Sequence, residues 1–298
     1  RLRWPQLTPD FKRLMVNMGP ALLVGGVVQI NLLVSRQVAS GTEGAISWLV
    51  YADRLYQLPL GVVAIAVGTV LLPELSRRLQ AGDHAGGREA FNRGTEFALL
   101  LTLPAAVALV VIALPITEVL YQRGLFDAED TAATALALAI YGLGLPAFVL
   151  QKALQPLFYA REDTRSPFRY AVWSMVLNAA LAFGLMPVIG FSAAAWATTL
   201  SAWVMVGQLW WGARRLGEEA RFDARFLSRF WRICAASALM GAALWGGWML
   251  LQPMLEAKAY RILALVLLIA LGMASYALAA FALKAVRLSD LKALRRQR

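Results

Sequence analysis

One apolar segment constrains this chain more than any other feature of its sequence. It runs from Tyr51 to Arg77, reads YADRLYQLPLGVVAIAVGTVLLPELSR, and is almost wholly apolar between Leu58 and Leu72. A transmembrane helix needs about 20 predominantly apolar residues, so this segment is long enough to cross a bilayer. The whole chain has a matching composition, with 59% hydrophobic and 16% charged residues. These features predict a membrane protein with several spanning helices.

The same segment carries two charges inside its predicted span. Asp53 and Arg54 lie in its first third, and each such charge costs about 3 kcal/mol in a membrane helix unless it faces a cavity or a partner. Pro59 and Gly61 follow within two turns and weaken the helix there. We therefore predict a bent helix beside a polar cavity, which a transporter requires and a simple anchor does not. The plainer alternative for Arg54 is a structural ion pair with an acid on a neighbouring helix.

Hydropathy along the chain predicts an all-α protein with eight transmembrane helices. They cover roughly residues 11–39, 45–76, 94–114, 131–159, 168–189, 191–212, 230–251 and 262–282. A polar loop is predicted over 77–93, and a short amphipathic piece over 115–126. The charged stretch 214–229 is the longest polar break in the second half. It divides a first region, 1–213, from a second, 214–298, that consists of a basic linker and two further helices.

The positive charges are distributed unevenly between the two predicted membrane sides. Of the 29 Lys and Arg residues, 23 fall on the side of the chain ends and three on the other. Because cytoplasmic loops carry the excess of Lys and Arg, both ends are predicted to be cytoplasmic. Arg54 then lies in the outer half of the membrane. The net charge of +11 therefore indicates contact with anionic inner-leaflet lipid, not a nucleic-acid site.

The scarcity of reactive residues excludes several kinds of chemistry. The chain has one cysteine, Cys234, and one histidine, His84, so it holds no internal disulfide, and a cysteine-rich or histidine-based metal site is not expected. We predict no metal site, no cofactor and no catalytic residue. A membrane-embedded polyprenyl-phosphate enzyme stays open as an alternative. Its acidic cluster would be Asp127, Glu129 and Asp130, which the predicted topology places outside.

Three stretches carry a resemblance to a known family. The 51–77 segment, the preceding QINLLVSRQVAS and the later LFYAREDTRSP resemble the MurJ (MviN) family of lipid II flippases, part of the multidrug, oligosaccharidyl-lipid and polysaccharide exporter superfamily. The resemblance implies that residues 1–213 form the second six-helix lobe, with the N-terminal lobe missing from this chain. It also implies a monomeric, multi-pass protein of the bacterial inner membrane when full length. A polysaccharide-lipid or drug exporter of the same superfamily is the alternative.

The resemblance also implies a function and a site. The protein would flip lipid II, the lipid-linked peptidoglycan precursor, to the outer leaflet by alternating access and without covalent chemistry. Arg54 would line the cavity and bind the pyrophosphate or sugar, Asp53 would position it or take part in a gate, and the Gln57 amide would reach either. Asn31 and Arg36 are further candidates, although helix-to-helix hydrogen bonding and snorkelling are the plainer roles for them.

A transporter also needs an energy source and positions at which its helices bend. The resemblance also implies a coupling cation, bound in some relatives through acids in this lobe, but the comparable residues here, Ser35, Asn178 and Thr198, are not ionisable. A coupling cation or the membrane potential therefore stays open. The hinge candidates are the helix-breaking residues Pro59, Gly61, Gly144 and Pro146.

Overall fold

The computed structural model describes residue 29, residues 31–257 and residues 259–285. All its regular structure in these ranges is helical, which confirms the all-α prediction. The helices are α1 (31–39), α2 (Ala45–Gln80), α3 (His84–Val111), α4 (Ala113–Tyr121), α5 (Ala128–Tyr159), α6 (Arg165–Ile189), α7 (Ser192–Ala213), α8 (Ala224–Glu256) and α9 (Arg261–Ala282), with a 3-10 turn at Glu218–Ala220. The predicted start of the first helix at Phe11 lies outside the described residues.

Within the residues that the structure describes, six helices are long and apolar enough to cross a membrane. They are α2, α3, α5, α6, α9, and α8 together with the 3-10 turn before it. Helix α7 has 22 residues but is not among them, because four tryptophans and Gln208 lower its mean hydropathy. The chain is a multi-pass membrane protein.

Helix α5 is the central element of the bundle. It packs against α2, α3, α4 and α7. Two side chains of α7 bond to its backbone near Pro146: the Thr199 hydroxyl donates to the Ile140 carbonyl at 2.9 Å, and the Trp203 indole donates to the Leu143 carbonyl at 3.1 Å. Neighbouring side chains of this kind stabilise a membrane helix where a proline interrupts its own ladder.

Two polar segments are more helical than the sequence predicts. The predicted loop over 77–93 is wrong, since α2 continues to Gln80 and α3 begins at His84. Asp83 caps α3 by accepting a hydrogen bond from the Gly86 amide at 2.8 Å. Likewise α8 begins at Ala224 and not at 230, because Asp223 accepts a hydrogen bond from the Phe226 amide. Hydropathy detects the membrane-embedded part of a helix and misses polar turns that continue beyond it.

Helices α8 and α9 pack on the outside of α3 and α4. Glu96 of α3 pairs with Arg229 of α8 at 3.0 Å. At the opposite end of the bundle, Arg261 at the start of α9 pairs with Glu118 of α4 at 3.3 Å. The pair of helices is therefore held to the remaining bundle at both ends.

Candidate functional site

Helix α2 has a buried face and an exposed face. Trp48, Ala52 and Tyr56 are buried at helical spacing and belong to the main core cluster with α5 and α7. The Trp48 indole donates to the Asp130 carboxylate at 2.6 Å and its ring packs edge-on against Phe191. These contacts fix the rotation of α2 about its axis, so the opposite face points away from the core.

Arg54 projects from that exposed face. A groove of about 210 Å³ lies beside it and is lined by Ile46, Ser47, Val50, Tyr51 and Arg54 itself. No acid of the described residues lies within 4.0 Å of its guanidinium nitrogens, so the alternative of a structural ion pair finds no partner there. A guanidinium with unused donors on a spanning helix is suited to an anionic ligand.

Asp53 and Gln57 pair with each other, one helical turn apart. The Gln57 amide donates to the Asp53 carboxylate, and Asp53 is half-buried. Adjacent residues on a helix point about 100° apart, so Asp53 does not face Arg54. The sequence allows the Gln57 amide to reach either Asp53 or Arg54, and in the structure it bonds to Asp53. The pair holds the carboxylate away from Arg54 and leaves the guanidinium donors open.

Aromatic residues that the sequence analysis did not select lie next to Arg54. Tyr51 contacts Tyr121 of α4 and Phe126 of the following loop, with ring centroids 4.7 Å and 5.6 Å apart. Helix α4 is too short to span a membrane. Burial raises the pKa of Tyr121, the charge of Arg54 opposes this rise, and Tyr51 adds to it. Tyr51 also lines the groove beside Arg54, so the aromatic cluster borders this groove.

A sequence signal for part of this cluster exists. Tyr51 and Ser47 precede Arg54 by three and seven residues, which places all three on one face of a helix. Tyr121 and Phe126 carry no such signal, because only the fold brings them to α2.

The remaining predicted site residues lie apart from Arg54. Arg36 is exposed on α1, and Asn31 is half-buried with a side-chain oxygen that has no hydrogen-bond partner among the described residues. No described contact joins either side chain to Arg54. The structure thus brings together Asp53, Arg54 and Gln57, and leaves Asn31 and Arg36 as separate candidates.

The hinge candidates differ in their surroundings. Helix α2 is continuous through Pro59 and Gly61, and a Cβ added at Gly61 would meet no atom within 4 Å. A Cβ added at Gly144 would lie 2.9 Å from the Thr199 hydroxyl oxygen. Gly144, next to the buried Pro146, therefore allows α5 and α7 to approach closely. The hinge role of all four residues stays a prediction.

Comparison with known proteins identifies the family. The sequence model described as "Lipid II flippase MurJ" matches residues 1–281. The chain belongs to the MurJ family. The "Probable lipid II flippase MurJ" of Rhizobium meliloti (strain 1021) is 47% identical to it over 294 residues, which are 97% of this chain and 55% of that relative. The chain spans about half the length of the curated MurJ relatives it matches.

Solved structures agree with this assignment. The structure "Lipid II flippase MurJ, inward closed conformation" matches with a TM-score of 0.74 and 25% identity over 93% of this chain and 56% of that one. A MATE structure in the bent conformation matches with a TM-score of 0.57 and 16% identity, over 89% of this chain and 64% of that one. The latter similarity concerns the fold alone. The predicted resemblance to the MurJ family is confirmed, and MurJ is a family of transporters.

Proposed function

We propose that this chain supplies the Arg54-bearing half of a lipid II flippase. The whole protein carries lipid II from the inner to the outer leaflet by alternating access, with no covalent step. One observation carries the proposal: Arg54 is exposed beside a groove on a spanning helix, without an ion pair to any described residue, in a chain of the MurJ family. The planar guanidinium presents several donors that fit the oxygens of a diphosphate.

The proposed orientation places Arg54 in the outer half of the membrane. It rests on the topology predicted from the sequence, in which 23 of the 29 Lys and Arg residues fall on the side of the chain ends. Arg54 is nine residues from the start of α2 at Ala45, so it lies about 13 Å along the axis at 1.5 Å per residue. The diphosphate would meet Arg54 when the cavity opens outward.

The exposed face of α2 is the proposed wall of the transport cavity. Below Arg54 it carries Leu58, Val62 and Ile65, which are 66–68% exposed. A first lobe outside this chain would close the cavity opposite that face in a full-length monomer. The basic segment before α8 and the tail would rest on anionic inner-leaflet lipid.

The transport cycle needs no cofactor in this proposal, but it needs an energy source. A coupling cation and the membrane potential are the two candidates. Transport in vesicles with a sodium gradient, a proton gradient or an imposed potential, each alone, would separate them.

Replacement of Arg54 tests the proposal. The full-length protein with Arg54→Ala should reach the membrane in normal amounts but fail to support growth of a MurJ-depleted strain, and lipid II should stay in the inner leaflet. Arg77→Ala is the matched control, because Arg77 lies on the same helix and is 73% exposed in an i,i+3 pair with Glu74. Normal growth with Arg54→Ala would contradict the assignment.

A drug or polysaccharide exporter is the second candidate function. The fold that this chain shares with a MATE structure supports it. The two are distinguished by cargo. Depletion of a lipid II flippase makes lipid II accumulate in the inner leaflet. Depletion of a drug exporter instead changes the intracellular level of the drug and leaves the distribution of lipid II unchanged.

A further inference from the structure

Three aromatic rings form a compact cluster at the outer end of α2. Tyr51 lies 4.7 Å from Tyr121 and 5.6 Å from Phe126, and Tyr121 lies 6.0 Å from Phe126, measured between ring centroids. These distances are typical of favourable aromatic pairs. All three residues are half-buried. Tyr51 belongs both to this cluster and to the lining of the groove beside Arg54.

The groove combines groups that suit the two chemical parts of a glycosyl diphosphate. Tyr51 and Arg54 are three residues apart on α2, so their Cβ atoms lie about 5–6 Å apart on one face. In a glycosyl diphosphate lipid the first pyranose is bonded directly to the diphosphate. A cation for the phosphates and a flat aromatic surface for the carbon-bound hydrogens of the sugar are therefore needed about one helical turn apart. Tyr51 and Arg54 have this spacing.

The cluster also restrains the Tyr51 ring before any ligand arrives. Its contacts with Tyr121 and Phe126 come from α4 and the loop after it, so two elements other than α2 support the ring. A tyrosine has few rotatable bonds, and a ring already held in place loses little further freedom on binding. Tyr121 and Phe126 are thus positioning residues in this arrangement, and Tyr51 is the contacting residue.

We propose that Tyr51 is the sugar-contacting residue of this site, packing against the pyranose next to a diphosphate bound by Arg54. The inference rests on the proposed function and adds a subsite to it. Tyr51 is three residues closer than Arg54 to the start of α2, so the sugar lies toward the outer end of the helix and the diphosphate toward the membrane centre. The step is binding alone, and no bond forms or breaks.

Two ligands that differ only by their sugars provide the test. The full-length protein, in nanodiscs of phosphatidylethanolamine and phosphatidylglycerol, is titrated with lipid II and with sugar-free polyprenyl diphosphate. Tyr51→Leu removes the ring but keeps apolar bulk against Tyr121 and Phe126. It should weaken lipid II binding roughly tenfold, and sugar-free diphosphate binding less than about twofold. Tyr51→Phe keeps the ring and should bind lipid II at least about fivefold more tightly than Tyr51→Leu.

Two further variants separate failure of this inference from failure of the proposed function. Arg54→Ala should weaken the binding of both ligands, and Tyr260→Leu, a tyrosine 56% exposed at the turn before α9, should change neither. If Arg54→Ala has this effect while Tyr51→Leu affects both ligands equally or neither, the sugar contact is overturned and the diphosphate site stands. If the wild-type protein binds lipid II no better than phospholipid, the proposed function itself fails.

Discussion

Arg161 and Arg54 lie toward opposite ends of the bundle and differ in their partners. The α2–α3, α5–α6 and α7–α8 connections meet at one end of the bundle, which we call the connected end. There the side chain of Glu219 is only 4% exposed, and its carboxylate forms an ion pair with Arg161 at 3.1 Å and contacts the His84 ring. In the other half of α2, Arg54 is exposed and pairs with no acid that the structure describes. A paired, buried charge holds segments together, whereas an unpaired charge on a membrane helix is available for a ligand.

Two arginines at the connected end, Arg161 and Arg88, bond to backbone carbonyls of the protein. Arg161 donates to the carbonyls of Leu157 and Leu216 at 2.8 and 2.9 Å in addition to its pair with Glu219. Arg88 donates to the Arg221 carbonyl at 3.1 Å. The bonds to Leu216 and Arg221 connect α5 and α3 to the segment before α8. We therefore predict that substitutions at the connected end lower stability, whereas substitution of Arg54 lowers transport.

The largest predicted loss of stability is at Glu96. Its side chain is 9% exposed and pairs with Arg229 at 3.0 Å and Arg225 at 3.8 Å, joining α3 to α8. Glu96→Ala should lower the free energy of unfolding by about 3 kcal/mol, because it removes the carboxylate from Arg229, whose side chain is only 13% exposed. Thermal unfolding of the full-length protein in detergent measures this.

Glu89→Ala is the matched control for Glu96. Glu89 lies on the same helix and pairs with Arg93, but both side chains are about half exposed. Its loss should cost less than about 0.5 kcal/mol. Equal effects of the two substitutions would show that burial does not decide the stability contributed by these pairs.

Glu219→Ala should have the next largest effect. The expected loss is about 2 kcal/mol, below that of a fully buried pair, because His84 is 69% exposed and Arg161 is 24% exposed. Transport per folded molecule should stay at the wild-type level, measured as lipid II translocation normalised to folded protein. A transport loss larger than the loss of folded protein would remove the distinction between the two ends.

Trp48→Phe tests whether loss of a structural contact near Arg54 lowers stability and leaves lipid II binding largely intact, as we expect for the charge pairs of the connected end. It removes the 2.6 Å hydrogen bond to Asp130 that joins α2 to α5. The free energy of unfolding should fall by about 1 kcal/mol, the net contribution of one such bond. Lipid II affinity should change less than with Arg54→Ala, and the opposite ranking would contradict the assignment of binding to Arg54.

The smallest predicted effect depends on pH and lies at the connected end. Partial burial works to raise the pKa of Asp163, but hydrogen bonds from Ser166 and the charge of Arg165 outweigh it and lower the pKa. The Ser166 amide donates to the carboxylate at 3.0 Å at the start of α6. A lowered carboxyl pKa stabilises the fold above the unfolded-state pKa of about 3.9, and this stabilisation is lost as the pH falls through the folded-state pKa.

The pH effect is measured by comparing Asp163→Ala with wild type. The variant should be less stable by about 1 kcal/mol or less at neutral pH, and the difference should shrink below about pH 4. A difference that grows on acidification would contradict the sign of the pKa shift.

The sequence predicts the helices and the charged residues on α2, because both depend on local patterns. Apolar runs mark the spans, and Asp53, Arg54 and Gln57 stand out by their cost in a membrane. It does not predict contacts between distant segments. Trp48 and Asp130 are 82 positions apart in the sequence. Tyr51 contacts Tyr121 because both α2 and α4 pack against α5.

The charge pairs at the connected end show the same limit. Glu219 and His84 are 135 positions apart, and no local pattern connects them. His84 falls in the loop that the sequence predicts over 77–93, but it is the first residue of α3 and contacts Glu219. Pairing of distant charges is decided by helix packing and not by residue spacing.

Thiol labelling tests the central claim most directly, namely that Arg54 faces an aqueous cavity. Arg54→Cys is placed in the full-length protein with Cys234→Ala, and a membrane-impermeant thiol reagent is added from outside. Glu43→Cys, in the exposed α1–α2 turn, is the accessible control, and Leu278→Cys, 72% exposed on the apolar helix α9, is the lipid-facing control. We expect Arg54→Cys to be labelled like Glu43→Cys. If it resists labelling as Leu278→Cys does, Arg54 faces hydrocarbon and the account is contradicted.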